Sequence, residues 1–176
     1  MKKMILAAAL AASFITGAAA AETYHTYTDR ENRFTLSLPD SFTVVTPLRR
    51  EVKLAAVRPD GKICTQISEE PWSDAEKKQG GNRLLNWQKS YLAALAKDAG
   101  ISRLHHELTV LNGRQCLRIS YTCTLPYGND TLALYVERII FTDGDKIITV
   151  MNSVEEKRKE TALPLFDTIA GSFFFY

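Results

Sequence analysis

The chain has 176 residues, of which 22 are Lys or Arg and 20 are Asp or Glu, for a formal net charge of +2 at pH 7. Lys2 and Lys3 account for that excess, so the rest of the chain is formally neutral and shows no bulk basic bias toward nucleic acid or anionic lipid. The length suits a single domain with a substantial hydrophobic core.

Residues 1–21 have the three parts of a secretory signal peptide: a basic start, an apolar run over residues 4–15, and a run of small residues that ends at Ala21. We expect cleavage after Ala21, with Ala20 as the near alternative. An uncleaved anchor helix is the other interpretation, at the short limit for spanning a bilayer. No cysteine lies near the cleavage site to accept a lipid. The leader therefore predicts a periplasmic protein without a stable membrane anchor.

The mature chain is expected to consist of a loosely ordered lead-in, residues 22–32, and a single domain, residues 33–176. Alternating or β-branched patterns predict early strands at residues 33–39, 42–46, 51–57 and 62–69. The last two form a hairpin around the turn Arg58-Pro59-Asp60-Gly61. Its simplest register sets Ala56 opposite Ile63 and Ala55 opposite Cys64.

Two kinds of helical signal follow. Ser73-Asp74-Ala75-Glu76 has the spacing of a capping box and predicts a short helical turn. A longer helix is expected from residue 83 to about residue 98, because one stripe recurs at three- and four-residue steps and would face the sheet. The stripe consists of Leu84, Trp87, Gln88, Tyr91, Leu92 and Leu95.

The dipeptide Asn112-Gly113 marks a hairpin between two long strands. Its register sets Glu107 opposite Arg118 and, farther from the turn, Leu104 opposite Tyr121. Charge pairing and apolar pattern agree on this register.

A second hairpin spans residues 131–154 around Asp143-Gly144, with Ile140 opposite Ile147. Because apolar residues occur on both of its faces, we expect it inside the sheet, covered above and below. A mixed-charge run at residues 155–160 then leads into a helix that begins near Thr161. The elements predict an α+β fold: an antiparallel sheet of about six to eight strands with one long central helix and one C-terminal helix packed on it.

Several local motifs occur in a set order along residues 34–173. Phe-Thr-Leu-Ser-Leu-Pro-Asp-Ser-Phe opens at Phe34, Asn-Gly and Asp-Gly-Asp-Lys turns follow the long helix, and Leu-Phe-Asp-Thr-Ile-Ala-Gly-Ser-Phe closes at Phe173. In this order they resemble the PsbP-like superfamily, which includes the Ran-binding Mog proteins and the bacterial envelope protein DcrB. The resemblance implies an α/β/α sandwich and a non-catalytic, protein-binding or accessory role. The shared motifs are turns and core positions, so no functional residue is carried over.

The sequence offers few groups for chemistry. It has no Gly-x-Ser-x-Gly elbow and no Gly-rich phosphate loop. His105 and His106 are neighbours on a strand, so their side chains point to opposite faces and cannot share a metal ion. We therefore expect no catalytic residue, no cofactor and no metal, and predict that the protein is not an enzyme.

Three cysteines in an oxidising compartment allow at most one intramolecular disulfide. Cys64 and Cys116 are candidates, provided that the sheet brings their Cα atoms within about 7 Å of each other. The alternative is three separate thiols. Cys123 shares its strand face with Tyr121 and Ile119 and is expected to be buried and inert.

Aromatic residues are the remaining candidates for a functional surface. Trp72, Tyr127, Phe175 and Tyr176 are predicted as a partner surface, because aromatic side chains are enriched in interface hot spots. The alternative is that Trp72 caps the core and the terminal aromatics pair along a sheet edge.

Three functions fit these expectations. We favour an exported, non-enzymatic, protein-binding accessory factor whose partner is another envelope protein. A carrier of a small apolar ligand would need an enclosed pocket between helix and sheet, lined by Trp87, Tyr91 or Tyr121. A periplasmic inhibitor or immunity protein would need an exposed loop around residues 72–81 with few internal contacts.

Overall fold

The computed structural model describes residues 22–60, 62–78 and 83–176. The predicted signal peptide, residues 1–21, lies outside these ranges, as does Gly61 of the predicted turn. Among the helices of the described ranges, none is long and apolar enough to span a membrane.

Within these ranges the chain forms strands, α-helices and one 3₁₀ turn. In chain order they are β1 (Tyr24–Asp29), β2 (Phe34–Pro39), β3 (Thr43–Val45), β4 (Val52–Val57), β5 (Ile63–Pro71), α1 (Asp74–Lys77), α2 (Arg83–Leu95), β6 (Ile101–Leu111), β7 (Arg114–Tyr127), β8 (Asp130–Asp143), β9 (Lys146–Glu155), the 3₁₀ turn (Glu156–Arg158), α3 (Lys159–Ser172) and β10 (Phe174–Phe175).

The largest sheet has seven strands in the order β3-β4-β5-β9-β8-β7-β6, and every neighbouring pair is antiparallel. The hairpin of β8 and β9 lies inside it, between β7 and β5, as the apolar residues on both of its faces predict. The predicted α+β class, with an antiparallel sheet, is confirmed. A second sheet of three strands, in the order β1-β2-β10, was not predicted.

The prediction of a loosely ordered lead-in at residues 22–32 is wrong. Most of this segment is β1, which pairs along its whole length with β2. Aromatic and β-branched side chains in β1 suit a strand. On its other side β2 pairs with β10, so the first and last strands meet in one small sheet. The pairing of β2 with β10 joins distant parts of the chain, so no local sequence pattern predicts it.

The register of β8 and β9 differs by two residues from the prediction. Asp143 pairs with Lys146 across a two-residue loop that begins at Gly144. Gly144 has a positive φ of 56° and the residue after it does not, which is the arrangement of a type II′ turn. The predicted pairing of Ile140 with Ile147 is therefore wrong. A slip of two residues leaves each side chain on its predicted face.

The register of β4 and β5 also differs by two residues. The backbone N–H of Arg58 donates to the carbonyl of Ile63 at 3.0 Å, which closes a longer loop than the predicted turn. The observed pairs are Ala56 with Thr65 and Ala55 with Gln66, in place of Ile63 and Cys64.

The register of β6 and β7 is confirmed near the turn, where Glu107 opposes Arg118. Asn112 and Gly113 have positive φ values of 52° and 75°, as a type I′ turn requires. Farther along, a bulge shifts β6 by one residue between Ser102 and His105, so the predicted pair of Leu104 with Tyr121 does not form.

Other elements pack on both faces of the seven-stranded sheet, which is the sandwich that the resemblance implied. α2 packs on one face, where Leu84 joins buried side chains of β7, β8 and β9. α3 and the small sheet pack on the other face, where Phe166 and Ile169 are fully buried. The helix ends differ from the prediction, because α2 ends at Leu95 and α3 begins at Lys159.

Candidate functional site

A cleft opens where α2 leaves the large sheet uncovered. α2 packs on β7, β8 and β9, and no described helix lies over the same face of β4 and β5. The cleft has a volume of about 580 Å³, which is within the range of ~300–1,000 Å³ for small-ligand sites. We call it the α2 cleft. It is lined by Arg49, Glu51, Val52, Gln66, Ser68, Glu70, Pro71, Trp87, Tyr91, Arg138, Ile147, Thr149 and Met151.

α2 contributes two stacked aromatic rings to this cleft. Trp87 and Tyr91 are four residues apart, so they lie on the same side of the helix. Their ring centroids are 4.4 Å apart and their planes are within 13° of parallel. Burial raises the pKa of the Tyr91 phenol, so the hydroxyl stays neutral at physiological pH. The wall formed by α2 is therefore a neutral aromatic surface.

Arg138 of β8 brings a positive charge into the cleft. Its neighbours across the strands are Ile119 and Met151, and neither is acidic. Its guanidinium carbon lies 5.9 Å from the ring centroid of Tyr91 and 5.8 Å from that of Tyr121, and a terminal N–H donates to the Tyr91 hydroxyl. Its Nε is buried and has no hydrogen-bond partner among the described residues. The rings stabilise the cation but do not neutralise it.

The rim of the cleft carries charges of both signs. Arg49, Glu51 and Glu70 line it, and all three are exposed. Beside it lies a smaller hollow of about 360 Å³, in which Lys146 pairs with Glu69 at 2.9 Å. The α2 cleft thus combines a mixed-charge rim with a half-buried cation farther in.

The groups that line the cleft are suited to recognition. The polar ones are guanidiniums, carboxylates, hydroxyls and an amide; the others are aromatic rings and apolar side chains, and none is His or Cys. Histidines lie elsewhere. His25 pairs with Asp40 at 2.9 Å, and Nδ1 of His106 in β6 lies 3.5 Å from the side-chain amide nitrogen of Gln88. Across the described ranges, no three His, Cys, Asp or Glu side chains gather closely enough to hold a metal ion.

The residues predicted as a partner surface do not lie together. Trp72 is 2% exposed in the core beneath α2, and Phe175 is 4% exposed in the core on the opposite face of the sheet. The prediction is wrong for these two because both side chains are buried. Trp72 caps the core and β10 pairs along β2, which was the alternative. Tyr176 is exposed, and the side chain of Tyr127 lies outside the described part of the structure.

The predicted disulfide between Cys64 and Cys116 is wrong. Cys64 lies in β5 and Cys116 in β7, with β9 and β8 between them. At ~4.8 Å per strand the two strands alone are roughly 14 Å apart, and Cys64 is level across the sheet with Tyr121 rather than with Cys116. The two cysteines therefore lie well beyond the ~7 Å limit for a disulfide. All three cysteines are free, which agrees with the alternative of separate thiols.

We expect these thiols to react slowly in the folded protein. Burial raises the pKa of Cys64, Cys116 and Cys123, which lowers the fraction of reactive thiolate at neutral pH. The rate of alkylation by iodoacetamide should therefore keep rising with pH beyond the range in which free cysteine levels off. Mass spectrometry of denatured, non-reduced protein should count three adducts, one for each free cysteine. A single adduct would reveal a disulfide and contradict the fold.

The helical stripe in the sequence predicts the aromatic wall of the cleft, whereas the positive charge of Arg138 was not predicted. The sequence does contain a signal, because Glu137 and Arg138 interrupt the most apolar strand pair. Adjacent strand residues point to opposite faces, so each charge needs a partner of its own. Glu137 forms an ion pair with Arg118 at 2.7 Å on the α3 side of the sheet. Arg138, on the α2 side, contacts the phenol rings of Tyr91 and Tyr121 instead.

No family model matches the chain, and a search of curated proteins gives no match. Solved structures do resemble it. Cyanobacterial PsbP (CyanoP) from Synechocystis sp. PCC 6803 has a TM-score of 0.60 at 17% identity, over 91% of this chain and 96% of that one. The Ran-binding protein Mog1p of Saccharomyces cerevisiae has a TM-score of 0.58 at 9% identity, over 88% and 96%. LpqN of Mycobacterium tuberculosis, involved in cell envelope biogenesis, has a TM-score of 0.54 at 10% identity, over 87% and 90%. The chain therefore has a PsbP-like fold.

Proposed function

We propose that this protein, with its PsbP-like fold, is an exported, non-enzymatic accessory factor of the cell envelope that binds a partner protein through the α2 cleft. The observation that carries the proposal is Arg138, a half-buried guanidinium that lines an open cleft without a carboxylate partner among the described residues. Holding a charge partly out of water costs free energy unless it is paired. A negative group on a bound partner would offset that cost.

The surroundings of the cleft favour a macromolecule over a small ligand. On the face of the cleft, the edge strand β3 and the segment after it expose aliphatic side chains at Val45 and Leu48, and Leu48 is fully exposed. This segment leads directly to Arg49 on the rim. A small ligand in the cleft would leave these side chains in water, whereas a protein partner could cover them.

The structural neighbours and the leader support the same proposal. Mog1p is described as Ran-binding and LpqN as involved in cell envelope biogenesis, and neither description names an enzymatic activity. The pattern of residues 1–21 favours export to the periplasm.

The other two functions receive less support. A carrier of an apolar ligand needs an enclosed apolar cavity, but the α2 cleft is open and places Arg138 beside Tyr91. An inhibitor that acts through a loop at residues 72–81 needs a loosely held segment. In the described part of that segment Trp72 is buried, and Ser73 and Glu76 close a capping box.

Site-specific photo-crosslinking in cells tests this function. A crosslinking amino acid in place of the exposed Leu48 should capture one envelope protein, recovered in the periplasmic fraction. The same amino acid at Arg30, which is exposed near the small sheet, is the matched control and should capture none. Equal capture from both positions, or an absence of the chain from the periplasm, would refute the proposal.

A further inference from the structure

Arg138 differs from the other half-buried arginines of the described chain, because each of those forms an ion pair. Their nitrogen-to-oxygen distances range from 2.7 to 3.7 Å. The pairs are Arg58 with Glu22, Arg83 with Asp145, Arg114 with Asp143, Arg118 with Glu137 and Arg158 with Asp60. Since this fold pairs its other half-buried guanidiniums with carboxylates, the position next to Arg138 is the natural place for a carboxylate from outside the chain.

The phenols around Arg138 do not supply the missing negative charge. Burial raises the pKa of both Tyr91 and Tyr121, so both stay protonated and neutral. They hold the guanidinium in place through cation–π contact and a hydrogen bond. The group is thus positioned and charged but not neutralised, which is the condition of a preformed anion site.

The charge of the rim restricts which anion fits. Glu51 and Glu70 place two carboxylates at the mouth of the cleft, and Glu70 lies close enough to influence the ionisation of Tyr91. A doubly charged phosphate would be repelled by both. A singly charged carboxylate on an otherwise neutral segment meets less repulsion, and its two oxygens match the planar fork of a guanidinium.

The floor of the cleft suits a peptide backbone. Ser68 of β5 lies opposite Thr149 of β9, and Gln66 is two residues from Ser68 on the same face. Side chains two residues apart in a strand repeat at ~7 Å, which is also the repeat of an extended peptide. These hydroxyl and amide groups can therefore exchange hydrogen bonds with successive peptide units. Trp87 and Tyr91 offer a flat surface to an adjacent side chain.

We infer that the α2 cleft binds the free C-terminal carboxylate of an extended peptide segment, with Arg138 as the anchor of that carboxylate. This inference rests on the proposed function and names the part of the partner that the cleft recognises. Capture of a C-terminal carboxylate by converging donors is a known mode of peptide recognition.

A paired peptide library tests the inference. The mature protein is immobilised and offered random hexapeptides with free C-terminal carboxylates, and separately the same library with C-terminal amides. Mass spectrometry identifies the retained peptides, and the most enriched sequence is then titrated in both forms. We expect the carboxylate form to bind about 10- to 100-fold more tightly, as for loss of a charge-assisted hydrogen-bonded pair. Arg138→Gln should remove this discrimination, while Arg30→Gln, which removes an exposed charge elsewhere, should keep it.

Each other result overturns the inference. Equal retention of the acid and amide libraries, or no enrichment from either, excludes a C-terminal carboxylate. Persistence of the discrimination in Arg138→Gln excludes Arg138 as the anchor, provided that circular dichroism shows the variant folded. If N-acetylphenylalanine binds as tightly as the selected hexapeptide, the cleft takes a small carboxylate rather than a chain end.

Failure here can be distinguished from failure of the proposed function. Crosslinking at Leu48 together with a negative library result would mean that a partner binds at the cleft through another group. Loss of the Leu48 crosslink would remove the protein partner itself.

Discussion

Replacing Arg118 with methionine is expected to lower the free energy of unfolding by about 3 kcal/mol, one of the two largest single-site effects that we predict. Glu137 is 1% exposed, and Arg118 holds its Oε1 with two hydrogen bonds of 2.9 and 2.7 Å. Burial alone would lower the pKa of Arg118, but hydrogen bonds to Asp167 and Glu137 raise it, so the guanidinium is charged. Without it a carboxylate stays buried and uncompensated. We place the effect near the lower end of the ~3–5 kcal/mol range because the Arg118 side chain is 33% exposed.

Two further variants separate the buried pair from a surface ion pair. Arg118 also pairs with Asp167 of α3 at 2.6 Å, but the Asp167 side chain is 60% exposed, so Asp167→Asn should cost less than about 1 kcal/mol. Combining Arg118→Met with Glu137→Leu should recover most of the loss, because no buried charge remains. Urea unfolding followed by circular dichroism measures all three. Equal destabilisation by Arg118→Met and Asp167→Asn would show that Glu137 is not the dominant partner.

Local signals in the sequence predict much of this fold. The β6–β7 hairpin follows from Asn112-Gly113, because only a few residue pairs adopt positive φ at both turn positions. The interior position of β8 and β9 follows from apolar residues on both faces. A two-residue slip, as in β8 with β9, keeps every side chain on its face, so the hydrophobic pattern cannot detect it. The turn alone decides that register, and the turn begins one residue later than predicted.

The candidate site is harder to predict because it depends on contacts between distant segments. The cleft exists because β5 pairs with β9, which places β4 and β5 beyond the reach of α2. That pairing joins residues about 80 positions apart, since Ile67 opposes Val150. The turn residues of the sequence therefore cannot predict it. The charged residue itself is visible in the sequence, because Arg138 interrupts an apolar strand. Its lack of a carboxylate partner becomes visible only with the strand order.

Replacing Phe173 with alanine is the second large effect, with an expected loss of about 3–5 kcal/mol in the free energy of unfolding. Phe173 is 2% exposed, and its ring centroid lies 5.9 Å from that of Phe34 and 5.6 Å from that of Phe141. The side-chain amide of Asn112 donates to the carbonyl of Phe173 at 2.7 Å, so the backbone is fixed where the ring enters the core. Removing the ring leaves a cavity that fixed neighbours fill poorly.

The adjacent residue supplies a matched control for this cavity. Phe174 has the same side chain but is 49% exposed, so Phe174→Ala should change stability by no more than about 0.5–1 kcal/mol. Both variants remove the same side-chain atoms, one position apart in the chain. If their unfolding curves have the same dependence on urea concentration, the difference between their midpoints measures the effect of burying the ring. Similar midpoints would mean that the C-terminal segment does not hold Phe173 in the core. In that case β10 would contribute little to the small sheet, and its pairing with β2 would be absent in solution.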